Sequence, residues 1–196
     1  MESITRACGP GQAPDGDDWA EEMGHGWFNV AYRIRLRDGA GVVVKIAPGS
    51  GERRDVDLGY PCSVVRDVIA ASEDCLDEVS EPRFVEWDLW DSNVMIRDGR
   101  IVAIIDHERA FYGDPLIEAG FTAIDLPAFG DPAAFMRGYG HPELTATERQ
   151  RRKLYTLYLI LIMIIETDYR GHTDTKQYDW ARERLHEVMA LFRESR

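Results

Sequence analysis

Residues 85–115 read VEWDLWDSNVMIRDGRIVAIIDHERAFYGDP, and the placing of their polar groups decides how the whole chain is read. Asp98-Gly99 is a strong two-residue turn signal between β-branched runs, so Val94 to Ile105 reads as a hairpin. Pairing Arg97 with Arg100 and counting outward sets Asn93 opposite Ile104, with Asp106 just beyond. Asn93 and Asp106 therefore meet at one open end. An amide oxygen and a carboxylate are hard donors, suited to Mg²⁺ held jointly with substrate phosphates. Asp88, five residues before Asn93, lies in the loop entering that end and can reach a hydroxyl beside the metal. Taken singly, Asp88 and Asn93 read as loop residues making Asx turns, and Asp106 as a cap of the next segment. In this order and at hairpin-compatible spacing, the joint reading is favoured.

Upstream, Phe28, Val30, Tyr32, Ile34 and Leu36 alternate with Asn29, Ala31, Arg33, Arg35 and Arg37, the period of a half-buried strand. Asp38-Gly39-Ala40-Gly41 then turns the chain into the β-branched run Val42 to Ile46, so the pair reads as a hairpin. Lys45 sits in that run, either as an edge-strand charge that blocks aggregation or as a cation with an anionic partner. Ser63 reads as the cap of a helix with Val65, Val68, Ile69, Ser72, Leu76 and Val79 on one face and Pro82 at its end. Downstream of Asp114-Pro115 the chain turns helical. Thr145 and Glu148 form a capping box for a helix to about Tyr169, and Ala181, Leu185, Val188, Met189 and Phe192 stripe a final one. The class is α+β. Residues 1–22, rich in Gly, Pro and Asp, are expected to be a mobile N-terminal segment, 23–62 a β-rich lobe, and 63–196 an α-rich lobe with an embedded hairpin.

A chain of 196 residues allows one domain or two small joined lobes. Lys+Arg 23 against Asp+Glu 35 gives a net charge of −12, which works against any partner bound through the phosphates of a long polyanion. No nucleic-acid partner and no membrane partner are expected. The same field favours cationic small molecules or metal ions, although most of these carboxylates read as solvated surface. Cys8, Cys62 and Cys75 include no CxxC pair, so neither a disulfide framework nor a zinc site is expected. The apolar run Leu157 to Ile165 is far shorter than the roughly twenty residues of a membrane span. The N-terminus lacks the apolar core of a signal peptide, and a cytoplasmic location is expected.

The run Asp88-Leu89-Trp90-Asp91-Ser92-Asn93, the hairpin, then Ile104-Ile105-Asp106-His107-Glu108 and Gly113-Asp114-Pro115 resembles the catalytic and metal-binding loops of the aminoglycoside phosphotransferase and choline kinase family. These are small-molecule kinases, and the resemblance implies a protein-kinase-like fold. It makes Asp88 the catalytic Asp, which orients the attacking hydroxyl and accepts its proton, and makes Asn93 and Asp106 the metal ligands. Gly24 and Gly26, leading into a strand, and Lys45 resemble the nucleotide loop and the phosphate-binding lysine. The implied cofactors are ATP and Mg²⁺, and the implied acceptor is a small-molecule hydroxyl. Asp91, Glu118, Asp125, Glu166 and Asp168 fall in the region that the resemblance gives to the acceptor, which would favour a cationic one. Glu118 and Asp168 are the substrate candidates, though a solvated surface reads equally well for them.

Two features depart from the family. The residue two before the catalytic Asp is usually His and is Glu86 here. Only 43 residues separate Lys45 from Asp88, too few for the glutamate-bearing helix, the further strands and the adenine-binding hinge of a kinase-like lobe. The N-lobe therefore reads as truncated. The alternatives are an ATP- and Mg²⁺-dependent phosphotransferase, an inactive kinase-like remnant or binding module without a complete ATP site, and a Mg²⁺-dependent hydrolase using the same carboxylates.

Overall fold

The computed structural model describes residues 20–23, 30–35, 41–46, 56–169 and 175–193, which fall into two compact units. The first carries an antiparallel sheet of β1 (Ala20–Met23), β2 (Val30–Arg35) and β3 (Gly41–Ile46), in that order. The expected hairpin is β2–β3, with Ala31 opposite Lys45. Alternation along β2 leaves Ile34 fully buried and Arg33 and Arg35 exposed. β1 is a third strand that the sequence does not announce. Its AEEM has two adjacent glutamates and no apolar alternation, and it pairs Glu21 with Arg33 across the sheet, side chains 3.5 Å apart.

The second unit begins with α1 (Cys62–Ala70) and a 3₁₀ turn, Glu73–Glu78. The structure corrects the sequence reading of α1 in two respects. The N-cap is Pro61, with Ser63 inside the first turn, and the helix stops at Ala70, well short of Pro82. A continued α-helix would bring Glu73 against Asp77 and Asp74 against Glu78 at i,i+4 spacing, where like charges repel. There follow β4 (Arg83–Val85), β5 (Val94–Arg97), β6 (Arg100–Ile104) and β7 (Phe111–Gly113). β4 pairs with β7 and β5 with β6, both antiparallel. Short 3₁₀ turns at Pro115–Ile117, Ala119–Ile124 and Pro127–Phe129 lead to α2 (Ala133–Tyr139), α3 (Ala146–Tyr169) and α4 (Lys176–Arg193).

The predicted stripe of α4, Ala181, Leu185, Val188, Met189 and Phe192, is buried against Leu154, Leu157, Ile160 and Ile164 of α3 and Val65 of α1. The apolar run of α3 thus belongs to a protein core. Among the described residues, no helix is long and apolar enough to cross a membrane. Two buried arginines fix α3 to the chain that follows β7. Arg151 Nε and Tyr155 Oη donate to Asp114 Oδ2, each at 2.9 Å, while Asp114 Oδ1 accepts the Leu116 N–H at 3.0 Å. Arg152, 1% exposed, donates to the Leu116 carbonyl and to Thr156 Oγ1, whose hydroxyl in turn donates to Asp125 at 2.6 Å. Burial lowers the Arg152 pKa to about 10, so it stays charged at neutral pH.

The capping box forms as its residues require. The Glu148 N–H donates to Thr145 Oγ1 at 3.2 Å and the Glu148 carboxylate accepts the Thr145 N–H at 2.7 Å. Partial burial works against the Glu148 charge, but the Thr145 bonds and nearby His141 outweigh it and hold the pKa below the ordinary value of 4.5. A depressed carboxylate contributes stability above its unfolded pKa and loses it as pH falls through the folded one. Glu148→Ala should therefore cost about 1 kcal/mol at pH 7. The difference from wild type should shrink as pH falls below 4.5. Urea unfolding at neutral and acid pH checks this, and a pH-independent difference would refute it.

Candidate active site

β4 delivers the chain through Glu86 and Trp87 to Asp88. Trp87 has φ of +60°, a conformation costly for a bulky side chain. Two contacts hold it there. The Glu118 carboxylate accepts the N–H of Glu86 at 2.7 Å and of Trp87 at 3.0 Å, and the Trp87 ring is buried with Val85 against Leu159 of α3. The Arg109 guanidinium lies 5.1 Å over the centroid of that ring and pairs with Glu166 of α3.

Asp88 is half-buried at the end of this strained step. Its Oδ1 accepts the Trp90 indole N–H at 2.8 Å, and Trp90 in turn stacks on Phe129. Its backbone carbonyl accepts the Asn93 Nδ2–H at 2.7 Å. Burial pushes the Asp88 pKa up; Arg109 and the indole pull it down, and the carboxylates of Asp106 and Glu166 add to the rise. A carboxyl with a raised pKa, beside a second carboxyl and in reach of solvent, suits a general base.

The β5–β6 hairpin turns at Asp98-Gly99 with Arg97 opposite Arg100, as its sequence requires. The expected register does not persist. A bulge shifts the pairing so that Met95 faces Ala103 and Val94 faces Ile104. Asn93 is thereby opposite Ile105, whose N–H donates to the Asn93 carbonyl at 2.9 Å. The extra residue brings Asp106 one position closer to Asn93 than even pairing would. Asp106 adopts φ of +72°, which Asp tolerates better than most residues.

Asp88, Asn93 and Asp106 are thus joined by the same turn of chain. The bond from Asn93 Nδ2 to Asp88 fixes the amide and leaves Oδ1 as its acceptor end. Among the described residues no three His, Cys, Asp or Glu side chains form a metal cage. One amide oxygen and one carboxylate instead fit Mg²⁺, which is commonly held by one or two protein oxygens plus phosphates.

The other candidates fall elsewhere. Lys45 lies on β3 of the first unit, Asp168 in the last turn of α3, and Gly24 and Gly26 outside the described residues. Glu118 is 4% exposed, and its carboxylate is spent on two backbone N–H groups, so it positions the loop. Asp125 and Glu166 are engaged with Thr156 and Arg109. Three of the five carboxylates that the resemblance gave to an acidic acceptor region are thus engaged within the protein, which weakens the charge argument for a cationic acceptor. The sequence did not single out Arg109 over Trp87, or Glu118 as the holder of two backbone N–H groups, because a cation over a ring and a carboxylate on backbone amides have no spacing signature. A cavity of about 940 Å³ lies apart from this site, lined by Val64, Ser72, Cys75, Gln150, Met189 and Phe192 among others.

Residues 52–155 match the phosphotransferase enzyme family. Among solved structures, a thermostable mutant of aminoglycoside phosphotransferase APH(4)-Ia in ternary complex with AMP-PNP and hygromycin B matches with a TM-score of 0.50 at 23% identity, over 65% of this chain and 43% of that one. Another structure of such a ternary complex matches with a TM-score of 0.57 at 16% identity, over 97% of this chain and 98% of that chain. At these identities the likeness is one of fold. The chain spans less than half the length of the first of these structures. No curated protein matches it.

Proposed function

The chain belongs to the phosphotransferase enzyme family, and we propose that it transfers a phosphoryl group from ATP, with Mg²⁺, to a hydroxyl of a small molecule. The observation that carries this reading is the 2.7 Å bond joining Asn93 to the Asp88 carbonyl, with Asp106 one residue beyond the Asn93–Ile105 pair. Asp88 orients the acceptor hydroxyl and takes its proton at a carboxylate oxygen. Asn93 Oδ1 and the Asp106 carboxylate hold the metal, which when bound offsets negative charge on the phosphates. Lys45, with Gly24 and Gly26 before it, serves the phosphates from a nucleotide-binding lobe of residues 23–62, and residues 63–196 form the catalytic lobe. That a relative of this fold was crystallised with hygromycin B supports an amine-bearing, polyhydroxylated acceptor, with Asp168 as a candidate contact.

One observation favours the second reading, a remnant unable to hold ATP. Between β3 and β4 the described residues contain α1 and a 3₁₀ turn but no strand, so they offer no hinge edge for adenine. Thermal shift decides between the two. A phosphotransferase is stabilised by Mg²⁺ and ATP together far more than by either alone, and a remnant by neither. Because no hinge is present among these residues, ATP and GTP should bind with similar, weak affinity. A strong preference for ATP would refute that account of the gap. Asn93→Ala and Asp106→Ala should each raise the Mg²⁺ concentration at which the nucleotide shift appears.

A further inference from the structure

Glu86 stands two residues before Asp88, and His107 one residue after Asp106. Glu86 is 6% exposed, and its Oε1 lies 2.7 Å from His107 Nδ1. The contact spans 21 residues and closes a ring of interactions. From Glu86 the chain runs to Asp88; the Asp88 carbonyl holds the Asn93 side chain; the Asn93 carbonyl holds the Ile105 N–H; and Ile105 leads through Asp106 to His107, which returns to Glu86. Every member of the ring is a proposed functional residue or lies within two positions of one.

We propose that Glu86 and His107 are a positioning pair, a latch that fixes the separation of Asp88 and Asp106; this rests on the phosphotransferase reading above. Asp88 and Asp106 are like charges close enough to feel one another, so the loops bearing them are pushed apart in the absence of a tie. The Asn93 side-chain amide, donating to the Asp88 carbonyl, and the Ile105 N–H, donating to the Asn93 carbonyl, secure the Asn93 side of the ring. On the other side the two loops are joined by the Glu86–His107 bond, next to the Arg109 guanidinium over Trp87 and the Val85–Phe111 pairing of β4 with β7; of these, the Glu86–His107 bond is the one adjacent to Asp106. Its anchor is firm, because the Glu86 N–H is itself held by Glu118 and the Glu86 side chain is 8% exposed against 56% for His107.

The test uses Glu86→Leu, His107→Leu, their double variant, and the conservative Glu86→Gln and His107→Asn. Glu86→Leu removes the buried carboxylate and leaves only the exposed His107 without its partner, so this variant and the double variant retain the fold. His107→Leu strands the buried Glu86 carboxylate, and its kinetics count only if its melting curve shows it folded. Loss of a residue that orients a ligand-bearing loop typically costs 10- to 100-fold in activity or metal affinity. Each Leu variant should lower kcat by about tenfold and raise the Mg²⁺ requirement, with the acceptor KM unchanged. The double variant should lose no more than the worse single one, since either change opens the same ring. Gln and Asn, which keep an acceptor and a donor, should restore most of the rate. A readout independent of turnover is amide exchange at Ile105 in the metal-free protein, expected to quicken about tenfold in the Leu variants as the ring loosens. Unchanged kcat, losses that multiply, or unchanged Ile105 exchange would each overturn the latch. Absence of phosphate transfer by the wild type would sink the phosphotransferase reading instead, and Ile105 exchange would then decide the latch alone.

Discussion

Asp88→Asn lowers the rate of phosphoryl transfer by at least about 10²-fold at saturating Mg²⁺ and nucleotide, the usual worth of a positioned general base. Asn is chosen because its side-chain oxygen still accepts the Trp90 indole N–H, and its backbone carbonyl still receives the Asn93 amide. The geometry is kept and the proton acceptor is removed. Burial already disfavours the Asp88 charge, so the substitution should leave the thermal midpoint unchanged or raise it. Steady-state turnover together with a melting curve separates the two effects. Turnover retained in the folded variant would remove Asp88 from the mechanism.

Asp114→Ala is expected to be the most destabilising single change considered. The Asp114 and Arg151 side chains are 7% and 8% exposed, and one Asp114 carboxylate serves Arg151, Tyr155 and the Leu116 N–H. Without it, Arg151 keeps the Cys75 carbonyl at 3.2 Å and Glu78 at 3.3 Å, the latter 58% exposed and therefore screened. Breaking a buried pair by deleting one partner costs about 3–5 kcal/mol, because the other charge is left uncompensated. For a chain of this size that corresponds to a fall in Tm of about 6–20 °C. Replacing both members by Asp114→Ala with Arg151→Met should cost less than the sum of the single changes. A single-variant loss below about 1 kcal/mol in urea unfolding would show that the pair carries little of the fold.

The parts legible in the sequence were those governed by local rules. Asp98-Gly99 located its turn, Thr145 and Glu148 located the start of α3, and the five apolar positions of α4 all became core. The order Asp88, Asn93, Asp106 was legible because a hairpin converts sequence order into proximity. What escaped depended on partners far along the chain or on near-degenerate choices. Nothing in Ile101-Val102-Ala103-Ile104 distinguishes an even ladder from one with a bulge, since each residue suits either face. Glu118 reads as a substrate contact or as solvated surface until its partners, the N–H groups of residues 86 and 87, are placed beside it. The end of α1 was misread because apolar spacing outweighed the run of acids in Glu73–Glu78.

Helix α3 touches each part of this machinery at a different height. Arg151 and Tyr155 grip Asp114; Arg152 and Thr156 grip the 3₁₀ segment through Leu116 and Asp125; Leu159 backs Trp87; Glu166 meets Arg109. From Arg152 to Glu166 is about 21 Å along one rigid rod. The helix therefore works as an indexed shaft, on which the angular setting of each contact depends on the number of residues between them. One residue inserted between Thr156 and Leu159 would rotate everything beyond it by about 100° relative to the arginines. The structural posts would stay seated while the floor beneath Trp87 and the counterion of Arg109 swung away. In this stretch of α3 a side chain can be exchanged without disturbing that setting, whereas a change of length cannot.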